Sequence, residues 1–467
     1  MMKILIVNRF FGGVQIPTGR MAEDVAHVLV AEGHEVVALA STGTYAGAEK
    51  RAQHGARSIE QGGNAQAQDQ QIERLTDQET KRPKEEKTGA LRVETVGVPK
   101  WMPRAVAWLW FTWQARKRIP RMHWDVCVLM TDPPLLPLLV LRVARLKDQK
   151  TKRLKDSRVP RSGRRRVAVA TNKTERRVAV WLMDLYPEAL AASGRLSERN
   201  PLYQWYFNKR QRALAEADLL ICLGEEQTKR LETKRPKDQE SQTAVAFVPP
   251  WDDRGNIALA TEESLRNLAL YAGNLGEAHC FEEILAAAPH LPSDWTIRFA
   301  VRGAKLSALQ EKAKGISHGL TRIDTDSFVA GDTGDKSSSP ETTTISGATV
   351  QVTGYASEEE TPRLLASARV HLITMSPGWE GIVVPSKLYG CIRTGRPVLF
   401  IGPENADTAR EIRANDWGAV LPPSTEGREV AAVILRLAAR PTTAWKAEDN
   451  AVRVASVIAD LALRTDS

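Results

Sequence analysis

Val384-Pro385-Ser386-Lys387-Leu388-Tyr389-Gly390 sets a hydroxyl and a lysine at the entry of an apolar, helix-like segment, and Gly395-Arg396-Pro397 then leads into a strand over Val398 to Ile401. The first turn of a helix leaves its amides unpaired and carries the positive end of the helix dipole, so Ser386 can cap while Lys387 adds full charge. Such a corner suits a pyrophosphate; a core helix with a capping serine uses the same residues more plainly. Gly273 and Asn274 close one apolar stretch, Arg302, Gly303 and Lys305 close another, and Gly354-Tyr355 a third. A glycine there lets a ligand approach the backbone, while Arg302 and Lys305 also read as a solvated helix start. Near the N-terminus, Gly13, Gly19 and Arg20 can close a loop over a phosphate, with a plain surface arginine as the alternative. One carboxylate stands out: Asp184, just beyond the apolar run 177–182. Asp184 can accept a hydroxyl proton or cap the next helix, and Glu188 is its near alternative.

The elements that must position these groups alternate. Ile4 to Val7 is a strand, Met21, Val25, Val28 and Leu29 recur at helical spacing, Gly33 ends that helix, and Glu35 to Leu39 is the next strand. Further strand-like runs lie at 126–130, 177–182 and 219–223, and a second series at 268–273, 295–300, 350–352, 370–373 and 398–401. Alternating strands and helices imply α/β architecture with doubly wound parallel sheets, whose ligands bind outside the carboxyl ends of the strands. Between the two series, Val248-Pro249-Pro250-Trp251-Asp252-Asp253 makes a stiff connector. The expected domains are 1–250 and 251–440, with 441–467 as a C-terminal helix, from about Trp445 to Leu463.

The chain has 467 residues, 42% hydrophobic and 26% charged, with a formal net charge of +9. That is enough for two cores, and no apolar run reaches the roughly 18 residues of a membrane span. Lys3 to Val7 reads as a buried strand and not as a signal peptide, so a cytoplasmic chain is the expectation. The four cysteines are scattered and lack metal or disulfide spacing, and the eight histidines show no metal pattern. Segments near 43–90, 146–175, 226–243 and 320–348 are polar and read as inserted loops. Three carry near-copies of Thr-Lys-Arg-Pro-Lys, at 80–84, 151–155 and 233–237, and hold much of the basic excess. Solvated loops account for them better than a nucleic-acid surface does. Asp324-Thr325-Asp326 falls in such a loop and is read as loop, not as a metal site.

Taken in order, Thr18-Gly19-Arg20, Met130 to Leu135, Met183 to Glu188, the Val-Pro-Pro-Trp-Asp connector, Tyr271 to Glu277, Val301 to Lys305, Gly354-Tyr355 and the Pro-Ser-Lys motif resemble the family 4 glycosyltransferases of GT-B fold. The likeness is to the colanic-acid and O-antigen branch and spans nearly everything outside the insertions. It implies two Rossmann-like domains facing across a cleft and retaining transfer from a nucleotide sugar, UDP-linked as a rule, without metal or other cofactor. In that frame the nucleotide-sugar donor meets Gly273, Asn274, Arg302, Gly303, Lys305, Gly354, Tyr355, Pro385, Ser386 and Lys387. Asp184, Lys387 and Glu380 are the catalytic candidates, and Gly13, Gly19 and Arg20 form the diphosphate loop of the N-terminal domain. Members often carry two glutamates seven residues apart; here those positions fall on Ile382 and Gly390, with Glu380 two residues from the first. The usual cations after Gly273 are also replaced, by Glu277, His279 and Cys280 in their region, which throws more of the phosphate charge onto Lys387.

Trp101, Trp108, Trp110 and Trp113 lie among Arg104, Arg116, Lys117, Arg118 and Arg121. Tryptophans with basic flanks suit a helix in a membrane interface, and equally the inner face of a core helix. Resemblance adds lipid-linked saccharide acceptors, hence peripheral docking on the cytoplasmic face of the inner membrane and a place in cell-surface polysaccharide synthesis. The rivals are a non-hydrolysing nucleotide-sugar epimerase and a catalytically silent binding protein.

Overall fold

The computed structural model describes residues 1–12, 16–42, 90–99, 101–141, 176–233, 243–252, 257–316, 347–357, 359–445 and 449–463. Gly13, most of the four expected insertions and the Asp324-Thr325-Asp326 triplet lie outside these residues. The first strands and helices are β1 (Lys3–Val7), α1 (Pro17–Ala31), β2 (Glu35–Ser41), β3 (Ala90–Val96), α2 (Arg104–Arg118), β4 (Val126–Met130) and β5 (Arg177–Trp181). There follow α3 (Glu188–Ala192), α4 (Pro201–Ala215), β6 (Leu219–Cys222), α5 (Glu225–Thr233) and β7 (Ala244–Phe247). The second series is β8 (Arg266–Asn274), α6 (Glu282–Ala287), β9 (Thr296–Arg302), α7 (Leu306–Ile316), β10 (Thr349–Thr353), α8 (Glu360–Ala366) and β11 (Ala368–Thr374). It closes with α9 (Lys387–Ile392), β12 (Val398–Ile401), α10 (Asp407–Ala414), β13 (Gly418–Leu421), α11 (Gly427–Ala438) and α12 (Asn450–Leu463).

Two sheets result, a seven-stranded one in the order β3-β2-β1-β4-β5-β6-β7 and a six-stranded one in the order β10-β9-β8-β11-β12-β13. The described pairings in both are parallel, for example Ile4 with Val36 and Leu372 with Leu399. Strands β4 and β6 are buried throughout, as an interior parallel strand covered on both faces must be. In each sheet the winding reverses beside the first strand of its series, between β1 and β4 and between β8 and β11. A doubly wound sheet opens a crevice at such a reversal.

Three strands not read from the sequence, β3, β7 and β13, all lie at sheet edges. Edge strands bury one side only, so their apolar signal is thin; β3 is largely exposed. The expected insertion 226–243 is corrected in its first part. Residues 225–233 form α5, which among its described side chains buries Gln227 and Leu231, too few apolar positions to show as a helix. Helix α12 begins at Asn450, later than Trp445.

Grouped by proximity, the chain forms one unit of Met1–Val180, Glu216–Asp218 and Val454–Ser467, and a second of Trp181–Ala215 and Leu219–Arg453. In the second, Tyr271, Phe281, Ile284, Phe299, Leu309, Leu399 and Ile434 belong to one core. Burying each such side chain contributes roughly 1.5–3 kcal/mol. The arginine of the Gly-Arg-Pro word is structural. Arg396 is fully buried and donates to the carbonyls of Ala438 (3.0 Å), Arg440 (2.7 Å) and Arg369 (3.2 Å). A fixed guanidinium thus satisfies the carbonyl end of α11, where the helix dipole is negative.

Candidate functional site

At the carboxyl end of β8 the chain passes through Gly273, whose φ of +124° few side chains tolerate, and leaves the sheet at Asn274. Lys387, the first residue of α9, reaches this strand end: its ammonium donates to the Tyr271 hydroxyl at 2.8 Å and to the Asn274 carbonyl at 3.1 Å, and lies 4.2 Å from the Tyr271 ring centre. Its acceptors are neutral, and among the described residues no carboxylate pairs with it. Packing pushes the Lys387 ammonium down from 10.5 to about 7. A cation held by dipoles alone, at the reversal of a doubly wound sheet, is electrostatically incomplete and favours an anion.

Neighbouring strand ends extend the cluster. Gly303, at φ +132°, packs so closely on β8 that an added Cβ would stand 2.5 Å from the Leu275 carbonyl oxygen and 2.7 Å from Asn274 Oδ1. Leu275 donates its amide to Arg302 at 2.7 Å, and the Arg302 guanidinium lies 4.3 Å over the Tyr355 ring, just past β10 and Gly354. Lys305 donates its ammonium to the His279 carbonyl at 2.5 Å. His279 in turn bonds the Thr374 carbonyl through Nδ1 at 2.7 Å; a carbonyl partner requires that nitrogen to carry the proton. Burial, with Lys387 adding to it, pushes the imidazole down to about 3, so it is neutral. Thr374 also accepts from the Cys280 amide and donates to its carbonyl, fastening the loop after β8 to the end of β11. Burial raises the Cys280 thiol to about 12, leaving it inert.

Ser386 corrects one expectation. It occupies the position before α9 with helical backbone angles, and its hydroxyl makes no capping bond. A helix of six residues also has a weak dipole, so the charge at this corner rests on Lys387. Pro385 is buried behind it, and Tyr389 packs edge-on to Trp417 at 6.5 Å, as a core residue.

Asp184 is exposed past the end of β5. The next residue, Leu185, donates its amide to the Ile382 carbonyl at 2.9 Å, which fastens this turn to the loop that carries Glu380. In that loop Gly381, at φ +65°, lies against the backbone of Glu226 at the start of α5, leaving no room for a side chain. Glu188 is removed as an alternative base: it is buried and bound by Arg210 through two bonds of 2.5 and 2.7 Å. A carboxylate engaged in this way has no exposed oxygen to offer a substrate.

No protein-family model and no curated protein sequence matches this chain. Solved structures do match. HepE from Anabaena, in complex with UDP and glucose, superposes with a TM-score of 0.51 at 12% identity, over 99% of this chain and 98% of that one. Trehalose-6-phosphate from Escherichia coli bound with UDP-2-fluoro glucose gives 0.51 at 11% identity, over 98% and 96%. The N-terminal domain of trehalose-6-phosphate phosphatase from Candida albicans gives 0.51 at 12% identity, over 99% and 93%.

The chain has the GT-B fold.

Within that GT-B frame, the structure adds a residue the sequence did not mark. Gly390 on α9 faces Asp252 of the Pro-rich connector: a Cβ on residue 390 would lie 3.0 Å from Asp252 Oδ2. Asp252 is buried, and the connector thus brings a carboxylate to the face of α9 that lacks one of its own. Only its place after two prolines hinted at a fixed position. Among the described residues, no group of three His, Cys, Asp or Glu side chains could hold a metal ion.

In the first unit of this GT-B chain, Gly19 lies inside α1, where a Cβ would come within 3.1 Å of Phe10 Cβ. Its smallness serves helix packing, and Arg20 follows it on the helix, half-buried. The four tryptophans divide. Trp101 is 80% and Trp113 44% exposed, whereas Trp108 and Trp110 are half-buried, Trp110 donating to the Gly97 carbonyl at 3.0 Å. Val106 and Leu109 take their place on the outer stripe with Trp113, three and four residues apart along α2. No described helix is long and apolar enough to cross a membrane.

Proposed function

We propose that this protein transfers a glycosyl group from a nucleotide sugar, a UDP-sugar, to a lipid-linked or glycan acceptor, with retention at the anomeric carbon and without a metal. The single observation that carries this reading is the Lys387 ammonium, held at the end of β8, among the described residues, by neutral acceptors. Cleaving a sugar–phosphate bond concentrates negative charge on the departing diphosphate, and a preorganised cation in a partly desolvated site stabilises it. Arg302 and Lys305 extend the positive field, and Tyr355 with Gly354 offers a surface for the base. Asp252 supplies the ribose carboxylate at the place where the resembled family uses a glutamate on the helix. Glu380 contacts the transferred sugar, and Asp184, exposed beside that loop, orients the acceptor hydroxyl. The fold supports the class of donor, since HepE was solved with UDP and glucose.

The acceptor side rests on α2, whose outer stripe of Val106, Leu109 and Trp113, with Trp101 before it, continues into Arg116 and Lys117. Apolar and aromatic groups followed by cations suit a bilayer interface with anionic headgroups, so the protein docks peripherally on the cytoplasmic face of the inner membrane. The reading places it in cell-surface polysaccharide synthesis. Incubating purified protein with a panel of UDP-sugars and a membrane extract tests it. A labelled lipid product is the expected outcome; a free nucleotide sugar epimerised at C2 would replace transfer by epimerisation, and no turnover with tight nucleotide binding would leave a silent binding protein.

A further inference from the structure

We infer that α4 is a second membrane-docking element, built on the same plan as α2 but in the other unit, and that its partner is an anionic bilayer surface. Tyr203, Arg210, Ala213 and Leu214 face inward on α4, where Arg210 is locked to Glu188 and Tyr203 stacks with Phe207 at 6.0 Å. That inward face leaves Leu202, Trp205, Lys209 and Arg212 on one outer stripe, at spacings of three, four and three residues. Leu202 is 61% and Trp205 57% exposed, and Lys209 and Arg212 are exposed as well. A soluble surface gains nothing by presenting a leucine and a tryptophan together at the head of a helix.

Charge identifies the occupant. On this stripe the apolar pair is followed by two cations and no carboxylate, and exposed Arg199 precedes the helix. Glu198, the nearest acid before α4, accepts a hydrogen bond from the Tyr203 hydroxyl at 3.3 Å. Helix α2 repeats the order: Val106, Leu109 and Trp113, then Arg116 and Lys117, with the Lys117 ammonium 3.4 Å over the Trp113 ring. A tryptophan at headgroup depth with lysine or arginine beside it is the composition of an interfacial helix at an anionic leaflet. A protein partner would instead require acidic and shape-matched groups, for which a two-residue apolar head and a basic tail make a poor core. This inference extends the docking proposed for α2, and each helix is tested alone.

The experiment is co-sedimentation of the full chain with phosphatidylglycerol-containing vesicles and, in parallel, with pure phosphatidylcholine vesicles. Leu202→Glu with Trp205→Glu should lower the partition coefficient on anionic vesicles at least tenfold with an unchanged melting temperature. Lys209→Gln with Arg212→Gln, which leaves the apolar pair intact, should lower it about thirtyfold on anionic vesicles and leave binding to phosphatidylcholine unaltered. Trp101→Glu with Trp113→Glu serves as the α2 control and should cause a separate loss. Undiminished binding by both α4 variants overturns the inference even if the α2 variant fails to bind, and so does equal binding of the wild type to neutral vesicles. A dimer in sedimentation equilibrium that the Leu202→Glu, Trp205→Glu variant dissolves would also overturn it, assigning the face to a second copy of the chain. Because vesicle binding needs no turnover, these results stand apart from the fate of the transferase reading.

Discussion

The reversal points of the two sheets share one topology and differ in what they leave available. At the end of β1, Asn8 spends its side-chain amide on the carbonyls of Phe10 (2.8 Å) and Thr18 (3.2 Å), while the Arg9 carbonyl takes both the amide and the hydroxyl of Ser41. At the end of β8 the equivalent corner holds a lysine among a phenol, a carbonyl and a neutral imidazole. The described side-chain amide bonds of the first corner end on backbone carbonyls, and its buried Arg9 lies 5.1 Å from the Phe10 ring centre, whereas the second holds a lysine that no described carboxylate pairs with. Topology therefore marks two crevices, but only the balance of charge and acceptors distinguishes a scaffold from a site for an anion.

That contrast can be broken first at Lys387. Lys387→Ala should reduce turnover of the preferred UDP-sugar at least about 100-fold while the melting temperature holds or rises, since a desolvated cation is lost. Full activity in a folded variant would sink the assignment. Gly303→Ala attacks the same corner through its backbone. A methyl there meets the Leu275 carbonyl in a conformation that alanine disfavours, so unfolding should become easier by about 3 kcal/mol and UDP affinity should fall with it. Asn8→Ala is the opposite test. Losing one buried and one partly buried hydrogen bond should cost about 2 kcal/mol in chemical denaturation and leave the Kd for UDP unchanged; a weakened Kd would mean that the first corner also binds.

The pH dependence sharpens the comparison further. Lys387 titrates near 7 in the folded chain and at an ordinary value of 10.5 when unfolded, so across that window the unfolded chain binds the extra proton. Ligand-free stability should therefore rise with pH through the window, while the affinity for UDP falls about tenfold per unit above pH 7, as seen by calorimetric titration. Lys387→Ala should flatten that affinity profile. The smallest effect is expected from Asp252→Asn, about fivefold in UDP affinity, together with loss of preference for UDP over its 2′-deoxy analogue.

Much of the frame was legible because interior parallel strands are apolar from end to end. Runs such as Val126 to Met130 and Leu219 to Cys222 announce themselves, while the edge strands β3, β7 and β13 and the polar helix α5 do not. Lys387, Gly273, Arg302 and Tyr355 were readable as separate words. Their assembly was not, because the lysine lies 113 residues from the Asn274 carbonyl it meets. Ser386 was read as a cap from residue type alone, whereas capping depends on backbone angles that α9 does not adopt. Glu188 and Asp184 look alike in sequence; burial against Arg210 makes one structural and leaves the other exposed.

Local chemistry along the chain determined the alternation of strands and helices, the doubly wound class and the types of groups that end each strand, since these follow from side-chain period and backbone preference over a few residues. Which of those groups meet, which are neutralised and which stay charged was decided only in the folded molecule. Desolvation and pairing depend on neighbours contributed by distant segments, as when the connector brings Asp252 to Gly390 and β8 brings Tyr271 to Lys387.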